Sequence, residues 1–364
     1  MESKKKITFF LTSLVGGGAE NVCVNLANGM SHKGWEIDLV VLNLNNADYL
    51  NRLSSKVKLN VLNVNHVSFS ILQIAKYLIK NPPKKVLVFN YELTVALLFV
   101  RIFFFQKFKI IARNNTTLSQ VRLKLRNKKS TVLRWLMNII YFKVDHVINQ
   151  CKSMEEDILS VYPRLKGKTN YIFNPVNFEV EQFSNAEKII EKENFILFVG
   201  RLEKEKGVHF CINAFSKLIQ YHPNLRLKII GKGSQEDDLK DLAKKLNIYN
   251  KIDFDGFSNN LINEYCKAKV LILTSFFEGF PNVLLESITL GTPVVSFNCP
   301  SGPSEIIKDG INGYLVSHLS LDDLILKIKL ALDTNFNSLV VKETADQFNN
   351  EKILSEYINI LENI

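Results

Sequence analysis

A charged loop in the second half of the chain carries the residue types expected of a site for a diphosphate. It lies in Phe198-Val-Gly-Arg-Leu-Glu-Lys-Glu-Lys-Gly207, between a β-rich run and a helical pattern. Two cations, Arg201 and Lys206, thus follow the carboxyl end of a strand and stand beside a helix N-terminus. When a diphosphate acts as a leaving group, cations and helix N–H groups of this kind neutralise the negative charge that it acquires. We predict that Arg201 and Lys206 bind it, although loop lysines are usually only solvated.

A second segment, Thr274-Ser-Phe-Phe-Glu-Gly-Phe-Pro-Asn-Val-Leu-Leu-Glu286, combines a helix start with two carboxylates. Pro281 suits the first position of a helix, and the N–H groups of residues 282–284 would then point at a phosphate. Glu278 lies in the loop before this helix, and Glu286 lies one to two turns along it. Carboxylates at these two depths can accept hydrogen bonds from two different sets of hydroxyls. The alternative is a capping carboxylate followed by an exposed helix glutamate.

Two further motifs have weaker signals. Gly16-Gly17-Gly18 follows the first β-rich run, so its N–H groups could face an anion, and a tight turn is the alternative. The triplet lacks the G-x-G-x-x-G spacing of a dinucleotide site, which argues against hydride transfer. Asp253-Phe254-Asp255 has the D-x-D spacing of some metal sites. We assign it to a strand leading to Gly256 and predict no metal, because Arg201, Lys206 and the helix N-terminus already neutralise a diphosphate.

Length and cysteine content indicate an intracellular protein of two domains. A chain of 364 residues exceeds what one hydrophobic core usually organises, and the 46% hydrophobic composition is that of a globular protein. The five cysteines stand singly, which predicts neither disulfides nor a thiolate metal site. Lys4 to Val15 resembles a signal peptide, but a strand entering a glycine turn explains the same residues. No run reaches the ~18 apolar residues of a membrane span.

The basic residues are concentrated in the first half of the chain. Residues 1–190 hold 27 Lys and Arg against 13 Asp and Glu, a net charge of +14, whereas the remainder has a net charge of −4. Residues 93–144 contain eleven Lys and Arg and no Asp or Glu, interleaved with aromatic side chains. This mixture is typical of a surface that meets an anionic membrane, and no nucleic-acid module is recognisable. A solvated basic face is the alternative.

Short β-rich runs alternate with helical patterns along the whole chain, which predicts parallel sheets covered by helices. Seven runs precede residue 175 and five follow residue 194. We predict two doubly wound α/β domains with a join at residues 178–194, where the sequence is polar and has no strand pattern. Ligand is expected in the cleft between the domains, outside the carboxyl ends of the strands.

Together these motifs resemble those of the retaining glycosyltransferases of family 4, which have the GT-B fold of two Rossmann-like domains facing a cleft. The resemblance covers essentially the whole chain, and also includes Asn174-Pro175-Val176, Gly231-Lys-Gly233 and Gly302-Pro-Ser-Glu-Ile-Ile307. It implies an acceptor-binding, membrane-facing domain at residues 1–180, a nucleotide-sugar-binding domain at 190–348, and a terminal helix at 349–364 that crosses back to the first domain.

The resemblance also implies the residue roles. Arg201 and Lys206 would bind the diphosphate, Glu278 the donor sugar and Glu286 the ribose, and the backbone after Gly256 the base. The residues that we expect at the donor are Gly17, Arg201, Lys206, Gly231, Gly256, Phe257, Glu278, Gly279, Phe280, Pro281, Asn282, Val283 and Glu286.

One departure from the family concerns the acceptor side. Many relatives carry a histidine near the end of the strand equivalent to residues 109–112, where this chain has Arg113-Asn114-Asn115. Asn114 could bond a sugar hydroxyl and Arg113 could hold an acceptor phosphate, and a strand-end turn is an equally good interpretation.

The predicted activity is transfer of a hexose or N-acetylhexosamine from a UDP-sugar to a polyprenyl-diphosphate-linked saccharide, without a metal cofactor. It would take place on the inner face of the cytoplasmic membrane, in bacterial surface-polysaccharide assembly. The alternatives are a nucleotide-sugar epimerase on the same fold and a non-catalytic protein that binds sugar nucleotide or membrane.

Overall fold

A computed structural model describes residues 5–15, 17–119, 139–186, 190–258 and 260–364. The chain divides into two compact units, one formed by residues 1–175 together with 350–364, and the other by residues 176–349. The expected boundaries lay at 180, 190 and 348, so the units change over a few residues earlier at the first join.

A seven-stranded parallel sheet forms the centre of the first unit, with the order β3-β2-β1-β4-β5-β6-β7. Its strands are β1 (Lys6–Leu11), β2 (Glu36–Val41), β3 (Lys58–Val61), β4 (Lys85–Val88), β5 (Lys109–Arg113), β6 (His146–Asn149) and β7 (Thr169–Tyr171). The strand order reverses between β1 and β4, which is where open α/β sheets bind ligands at the carboxyl ends of their strands.

Helices cover both faces of this sheet. They are α1 (Gly18–His32), α2 (Ile71–Lys80), α3 (Tyr91–Phe103), α4 (Lys152–Val161) and, at the end of the chain, α13 (Asn350–Asn363). Adjacent strand residues point to opposite faces, so Phe10 is buried with α2 and α3 whereas Phe9 is buried with α1 and α13. Among the described residues no helix is both long and apolar enough to cross a bilayer.

The second unit is built on a six-stranded parallel sheet with the Rossmann order β10-β9-β8-β11-β12-β13. Its strands are β8 (Phe195–Val199), β9 (Arg226–Ile230), β10 (Ile252–Gly256), β11 (Val270–Leu273), β12 (Val294–Phe297) and β13 (Gly313–Val316). Its helices are α5 (Phe178–Asn185), α6 (Val208–Leu218), α7 (Glu236–Lys245), α8 (Ile262–Lys267), α9 (Asn282–Thr289), α10 (Pro303–Ile306), α11 (Leu321–Asp333) and α12 (Ser338–Glu343).

The predicted join contains regular structure that the sequence analysis missed. Helix α5 lies in it, because the Asn177 side chain caps the helix by accepting from the Glu179 N–H, and Val180 is buried. Ser184 Oγ donates to the Thr289 carbonyl at 2.6 Å, which ties α5 to the end of α9. Residues 178–185 therefore belong to the second unit rather than to a linker.

Candidate donor site and its family

The cationic loop and the glutamate loop follow neighbouring strands, β8 and β11, at the point where the strand order of the second sheet reverses. Two hydrogen bonds join the loops directly: Phe276 N–H donates to the Glu205 carbonyl at 2.8 Å, and Thr274 Oγ1 donates to the Lys206 carbonyl at 3.1 Å. The charged side chains of both loops are thereby brought to one edge of the sheet, as the sequence predicted.

Gly207 makes this close approach possible. Its φ is +59°, and a Cβ there would lie 2.3 Å from the Thr274 carbonyl oxygen. Any other residue would clash with the backbone of the second loop and adopt a conformation that side chains disfavour. Gly207 also precedes the first residue of α6, so the Lys206 side chain is fixed at the start of that helix.

The Lys206 ammonium and the Glu278 carboxylate form an ion pair, with 2.6 Å between Nζ and Oε1. The two side chains are 19% and 12% exposed, and Ser275 Oγ donates to the same Oε1 at 2.5 Å. A pair in so little solvent is held strongly in geometry, since separating either charge from its partner costs desolvation free energy. The residue predicted to bind the diphosphate, Lys206, and the residue predicted to bind the sugar, Glu278, are therefore directly bonded to each other.

Arg201 differs from Lys206 in its exposure. Its side chain is 71% exposed and approaches the Glu205 carboxylate at 3.4 Å, a weak contact in solvent. An arginine in this position is available to a ligand at little cost, because its fork of donors is not committed to a strong partner.

The helix start differs in detail from its prediction. Helix α9 begins at Asn282, and Pro281 is the residue before it rather than its first residue. The Leu284 N–H donates to the Pro281 carbonyl at 3.0 Å, so it does not point at a phosphate as expected. The reason is that the first turn closes on Pro281, which has an extended conformation with ψ of 95°.

Phe280 and the neighbouring loop are supported from within the second unit. The Phe280 ring is buried against Phe348, so it serves the core rather than a ligand. Ser301 Oγ donates to the Glu278 carbonyl at 2.6 Å, and Gly302 lies against Pro281 and the Gly279 carbonyl. The loop after β12 therefore fixes the backbone that carries Glu278.

Glu286 has a buried partner of its own. Tyr265 is fully buried, and its hydroxyl donates to Glu286 Oε2 at 2.9 Å. Burial, together with the nearby Glu286 carboxylate, raises the pKa of Tyr265 well above its usual value, so the phenol stays protonated and remains a donor. One oxygen of the carboxylate is thus oriented by Tyr265.

The glycines predicted at the donor hold the loops of this edge together. A Cβ on Gly231 would lie 1.8 Å from the Gly200 carbonyl oxygen, and Gly231 N–H donates to the Gly256 carbonyl at 2.7 Å. The close packing of the loops after β8, β9 and β10 explains Gly231 without a ligand. Phe257 follows β10 and is exposed, where a planar base could stack on its ring.

The Asp253-Phe254-Asp255 motif lies in β10, as expected, and its carboxylates face cations. Arg226 donates to both oxygens of Asp253 at 3.0 and 2.5 Å, and this hydrogen bonding lowers the pKa of Asp253. Lys228 lies 3.8 Å from Asp255 and 2.7 Å from Glu264. Within the described ranges, no group of three or more His, Cys, Asp or Glu has a spacing that could hold a metal.

Cys299 is a cysteine close to this site. It is buried near Glu278 and Lys206, and burial raises its pKa to about 12. The protonated thiol is a poor nucleophile. All five cysteines are free and buried.

In the first unit, Gly17 lies beside a carboxylate. The Glu20 side chain occupies the space next to Gly17, where a Cβ would fall 2.3 Å from Glu20 Oε2. Burial raises the pKa of Glu20. The Glu20 carboxyl at the start of α1 argues against an anion site at Gly17. The φ of Gly17 is −124°, so this glycine does not serve a turn that requires positive φ either.

Arg113 is buried at the end of β5 and bonds within the first unit. Its guanidinium donates to the Tyr357 hydroxyl at 2.9 Å, to Asn174 Oδ1 at 2.6 Å and to Asn115 Oδ1 at 2.5 Å. Tyr357 belongs to α13, so Arg113 ties the last helix of the chain to the sheet.

Asn114 is buried as well. It donates to Asn149 Oδ1 at 3.0 Å and accepts from the Tyr141 hydroxyl at 2.8 Å. The polar atoms of Arg113 and Asn114 are thus directed into the unit, which favours the strand-end interpretation over contact with an acceptor.

Three residues of this site were not predicted from the sequence. Ser275, Tyr265 and Ser301 each donate a hydrogen bond that holds a predicted site residue. Tyr265 and Ser301 are far from their partners in sequence, so spacing could not identify them. Ser275 is three residues from Glu278, and a hydroxyl at that distance from a loop carboxylate is a usable signal.

Two Rossmann-like units, each built on a parallel sheet, with a cationic loop and a glutamate loop on adjacent strands of the second, have the architecture of a glycosyltransferase of the GT-B fold. Residues 16–180 match Glycosyltransferase Family 4, and residues 179–352 match Glycosyl transferases group 1. A Campylobacter jejuni relative named N-acetylgalactosamine-N,N'-diacetylbacillosaminyl-diphospho-undecaprenol 4-alpha-N-acetylgalactosaminyltransferase is 30% identical over 322 residues, 86% of each chain. The chain belongs to glycosyltransferase family 4, and it is an enzyme.

Two solved structures show the same fold over nearly the whole chain. Sucrose-phosphate synthase of Thermosynechococcus elongatus superposes with a TM-score of 0.81 at 18% identity, covering 99% of both chains. Anabaena HepE in complex with UDP-glucose superposes with a TM-score of 0.80 at 17% identity, covering 99% of this chain and all of that one. The prediction of fold and family from the sequence is confirmed.

Proposed function

We propose that the enzyme transfers a hexose or N-acetylhexosamine from a UDP-sugar to a saccharide carried on a polyprenyl diphosphate, with retention of anomeric configuration. The observation that carries the proposal is the Lys206–Glu278 pair, at 2.6 Å, beside the exposed Arg201 at the edge of the second sheet. It offers cations to a diphosphate and a carboxylate to sugar hydroxyls within one small region.

In the proposed mechanism the acceptor hydroxyl oxygen attacks the anomeric carbon on the face that the diphosphate leaves. The new C–O bond forms as the bond from the anomeric carbon to the phosphate oxygen breaks. The departing phosphate oxygen takes the acceptor proton, so no protein nucleophile is needed. Arg201 and Lys206 stabilise the negative charge that develops on the diphosphate. Glu278 orients the sugar, and Glu286, held by Tyr265, accepts hydrogen bonds from the ribose.

The names of relatives support the acceptor class. The Campylobacter relative described above is named for a diphospho-undecaprenol-linked saccharide. A second Campylobacter jejuni relative, 28% identical over 98% of this chain, is named GalNAc-alpha-(1->4)-GalNAc-alpha-(1->3)-diNAcBac-PP-undecaprenol alpha-1,4-N-acetyl-D-galactosaminyltransferase. Both names specify an alpha linkage, and the usual UDP-hexose donors are alpha-linked, which supports retention. Both also favour an N-acetylhexosamine as the transferred sugar.

An acceptor with a polyprenyl tail requires the enzyme to work at a membrane surface. We propose that residues 93–144 make this contact on the cytoplasmic leaflet. Residues 120–138 lie outside the described residues. On the described part, Phe103 and Phe105 are exposed, whereas Arg101 is paired with Asp145 and is not available to a lipid.

A donor screen tests the proposal. The purified enzyme is incubated with single UDP-sugars and a mixed pool of polyprenyl-diphosphate-linked saccharides, and both UDP and the lengthened lipid-linked product are measured. We expect one UDP-sugar to give UDP and product in equal amounts, with the product alpha-linked by NMR. A beta linkage from an alpha donor would contradict retention.

Two controls separate transfer from other chemistry. Incubation with UDP-sugar alone should produce no epimer, because an epimerase needs no acceptor. A GDP-sugar or ADP-sugar that outperforms all UDP-sugars would overturn the assignment of the nucleotide.

A further inference from the structure

A polar pocket of about 320 Å³ lies in the first unit, apart from the residues discussed so far. Its lining comes from the segments that follow β1, β2 and β3 and from the first turn of α3, which follows β4. These four strands are adjacent in the order β3-β2-β1-β4, so the pocket lies at the carboxyl edge of the sheet and includes the point where the order reverses. Open α/β sheets bind small ligands at this edge.

The side chains of the pocket are predominantly uncharged hydrogen-bonding groups. The titratable groups of the lining are His66 and Glu92. Four amides and two hydroxyls also line the pocket: those of Asn43, Asn45, Asn46, Asn65, Thr12 and Ser13. Among the described lining residues there is no lysine or arginine, although this unit has a strong excess of both. Such a lining does not suit a phosphate, and it suits a ligand that both donates and accepts hydrogen bonds without a net charge.

The amides are arranged by their own hydrogen bonds. Asn43 Nδ2 donates to the Val64 carbonyl at 3.1 Å, and Asn43 Oδ1 accepts from the Asn45 N–H at 3.2 Å. Asn45 Nδ2 lies 3.4 Å from Asn65 Oδ1, a long bond that a ligand hydroxyl can replace. Asn45 and Asn65 are exposed, so their exchangeable pair lies at the surface of the pocket.

Apolar surface completes the lining. Val15 is 40% exposed, and Leu42 and Val67 also contribute to the wall. A pyranose ring has polar edges and an apolar C–H face, so amides beside an aliphatic patch match both surfaces of a sugar.

We propose that this pocket binds an uncharged sugar residue of the acceptor saccharide, with Asn45 and Asn65 as its replaceable hydrogen-bonding partners. The inference rests on the proposed function, since a saccharide acceptor gives the pocket its ligand. In this proposal the amides of the pocket bind the acceptor's sugar. The acceptor's diphosphate would bind at a different place, where cations are present.

The test uses the full chain and two measurements. Saturation-transfer NMR with the methyl α-glycosides of N-acetylgalactosamine, N-acetylglucosamine, galactose and glucose reports binding without turnover. Steady-state kinetics with the lipid-linked acceptor pool reports the acceptor KM and the donor KM separately. The variants are Asn45→Ala, Asn65→Ala and the double variant, and the matched control is Gln73→Ala, which removes an exposed amide of α2 outside the pocket. Thermal unfolding checks that every variant is folded.

We expect at least one glycoside to bind the wild type and the Gln73→Ala control, and the double variant to lose most of that signal. The acceptor KM of the double variant should rise about tenfold, the effect of losing one or two hydrogen bonds, while its donor KM stays within about twofold. Binding that is equal in wild type and double variant, or absent from the wild type, would overturn the proposal. Displacement of the glycoside by UDP would place the donor there and overturn it as well. Failure of the wild type to use any UDP-sugar would refute the proposed function, whereas glycoside binding would still decide the pocket.

Discussion

Lys206 and Glu278, which are 72 positions apart in the chain, share a hydrogen-bonded ion pair of 2.6 Å in the second unit. In this arrangement the cation assigned to the diphosphate is already neutralised by the carboxylate assigned to the sugar. A diphosphate that contacts Lys206 must therefore either displace Glu278 from the Lys206 ammonium or share that ammonium with it. A substitution of either residue consequently changes the environment of the other.

Removing Arg201 or Lys206 should cut turnover more than a hundredfold, because losing one donor to developing charge typically costs ~3 to 4 kcal/mol. Lys206→Ala should also lower the free energy of unfolding by about 1–3 kcal/mol, because Glu278 is left poorly solvated and unpaired. Arg201→Ala should leave unfolding nearly unchanged, since its side chain is 71% exposed. UDP release and chemical denaturation measure the two effects.

Lys204→Ala is the matched control, because Lys204 is an exposed lysine of the same loop. Its turnover and stability should resemble those of the wild type. Rates near wild type in Arg201→Ala or Lys206→Ala would refute the assignment of the diphosphate to this loop.

The two glutamates should fail in different ways. Glu278→Gln should mainly lower kcat, because its ligand is the sugar that reacts, and Glu286→Gln should mainly raise the donor KM. Tyr265→Phe should follow Glu286→Gln with a smaller increase in donor KM, since it removes the hydrogen bond that orients that carboxylate. Steady-state kinetics with varied donor distinguishes the two patterns, and identical profiles for both Gln variants would rule out this division of roles.

The sequence predicted those features that depend on local pattern. The seven runs predicted before residue 175 and the five predicted after residue 194 all correspond to observed strands, because buried parallel strands appear in a sequence as short apolar runs. The strand Gly313–Val316 was missed, since it begins inside the dipeptide Asn312-Gly313, which is a turn signal in a sequence. Helix α5 was missed because its sequence is polar, and its stability depends on a cap and on packing against α9.

Contacts between residues far apart in the chain limited how much of the site could be predicted from the sequence. The sequence predicted that Arg201 and Lys206 follow the end of a strand. It did not predict that Arg113 is buried. That side chain bonds to Tyr357, 244 positions away, and no local pattern reports such a contact. A strand-end arginine has the same local sequence whether it faces a ligand or the core.

Chelation should leave activity largely unchanged. The diphosphate charge is met by side chains in our proposal, and Asp253 is bonded to Arg226. Adding EDTA during UDP-release assays should therefore have little effect, and Asp253→Asn should leave the kinetic constants near those of the wild type. Loss of activity on chelation that manganese restores would instead support a metal at Asp253 and Asp255.

Arg113→Lys should destabilise the first unit. Lysine cannot reproduce the fork that reaches Tyr357, Asn174 and Asn115, so buried acceptors lose their donors, at a cost of about 2–3 kcal/mol. Tyr357→Phe should cost less, and the two changes combined should cost less than their sum by at least ~0.5 kcal/mol, since the residues are bonded to each other. Urea denaturation of the four proteins measures this coupling. If the Arg113→Lys enzyme were as stable as the wild type and had a raised acceptor KM, Arg113 would instead be assigned to acceptor binding.

The enzyme should bind anionic membranes through residues 93–144, which hold eleven Lys and Arg and no acidic residue. Like charges concentrated in one segment repel each other, and an anionic surface relieves that repulsion. Arg101 and Arg113 are bonded within the first unit, so the other cations of the segment would make the contact. Each cation near an anionic leaflet contributes ~1 kcal/mol, so binding should weaken as salt screens it. Phe103 and Phe105, which are 61% and 89% exposed, would add apolar contact that salt does not screen. Co-sedimentation with liposomes that contain anionic lipid should therefore fall with rising salt, and fall further in Phe103→Ser/Phe105→Ser.

Replacing Arg122, Lys124, Arg126, Lys128 and Lys129 with Ser should reduce this binding most strongly, because it removes five of the eleven cations. The matched control replaces Lys240, Lys244 and Lys245 of α7 with Ser, which lowers the net charge in the second unit. If binding depended only on total charge, the control would lose binding in proportion to the charge removed, so retention of binding by the control identifies the segment. Binding that ignores both salt and the five replacements would show that another surface meets the membrane.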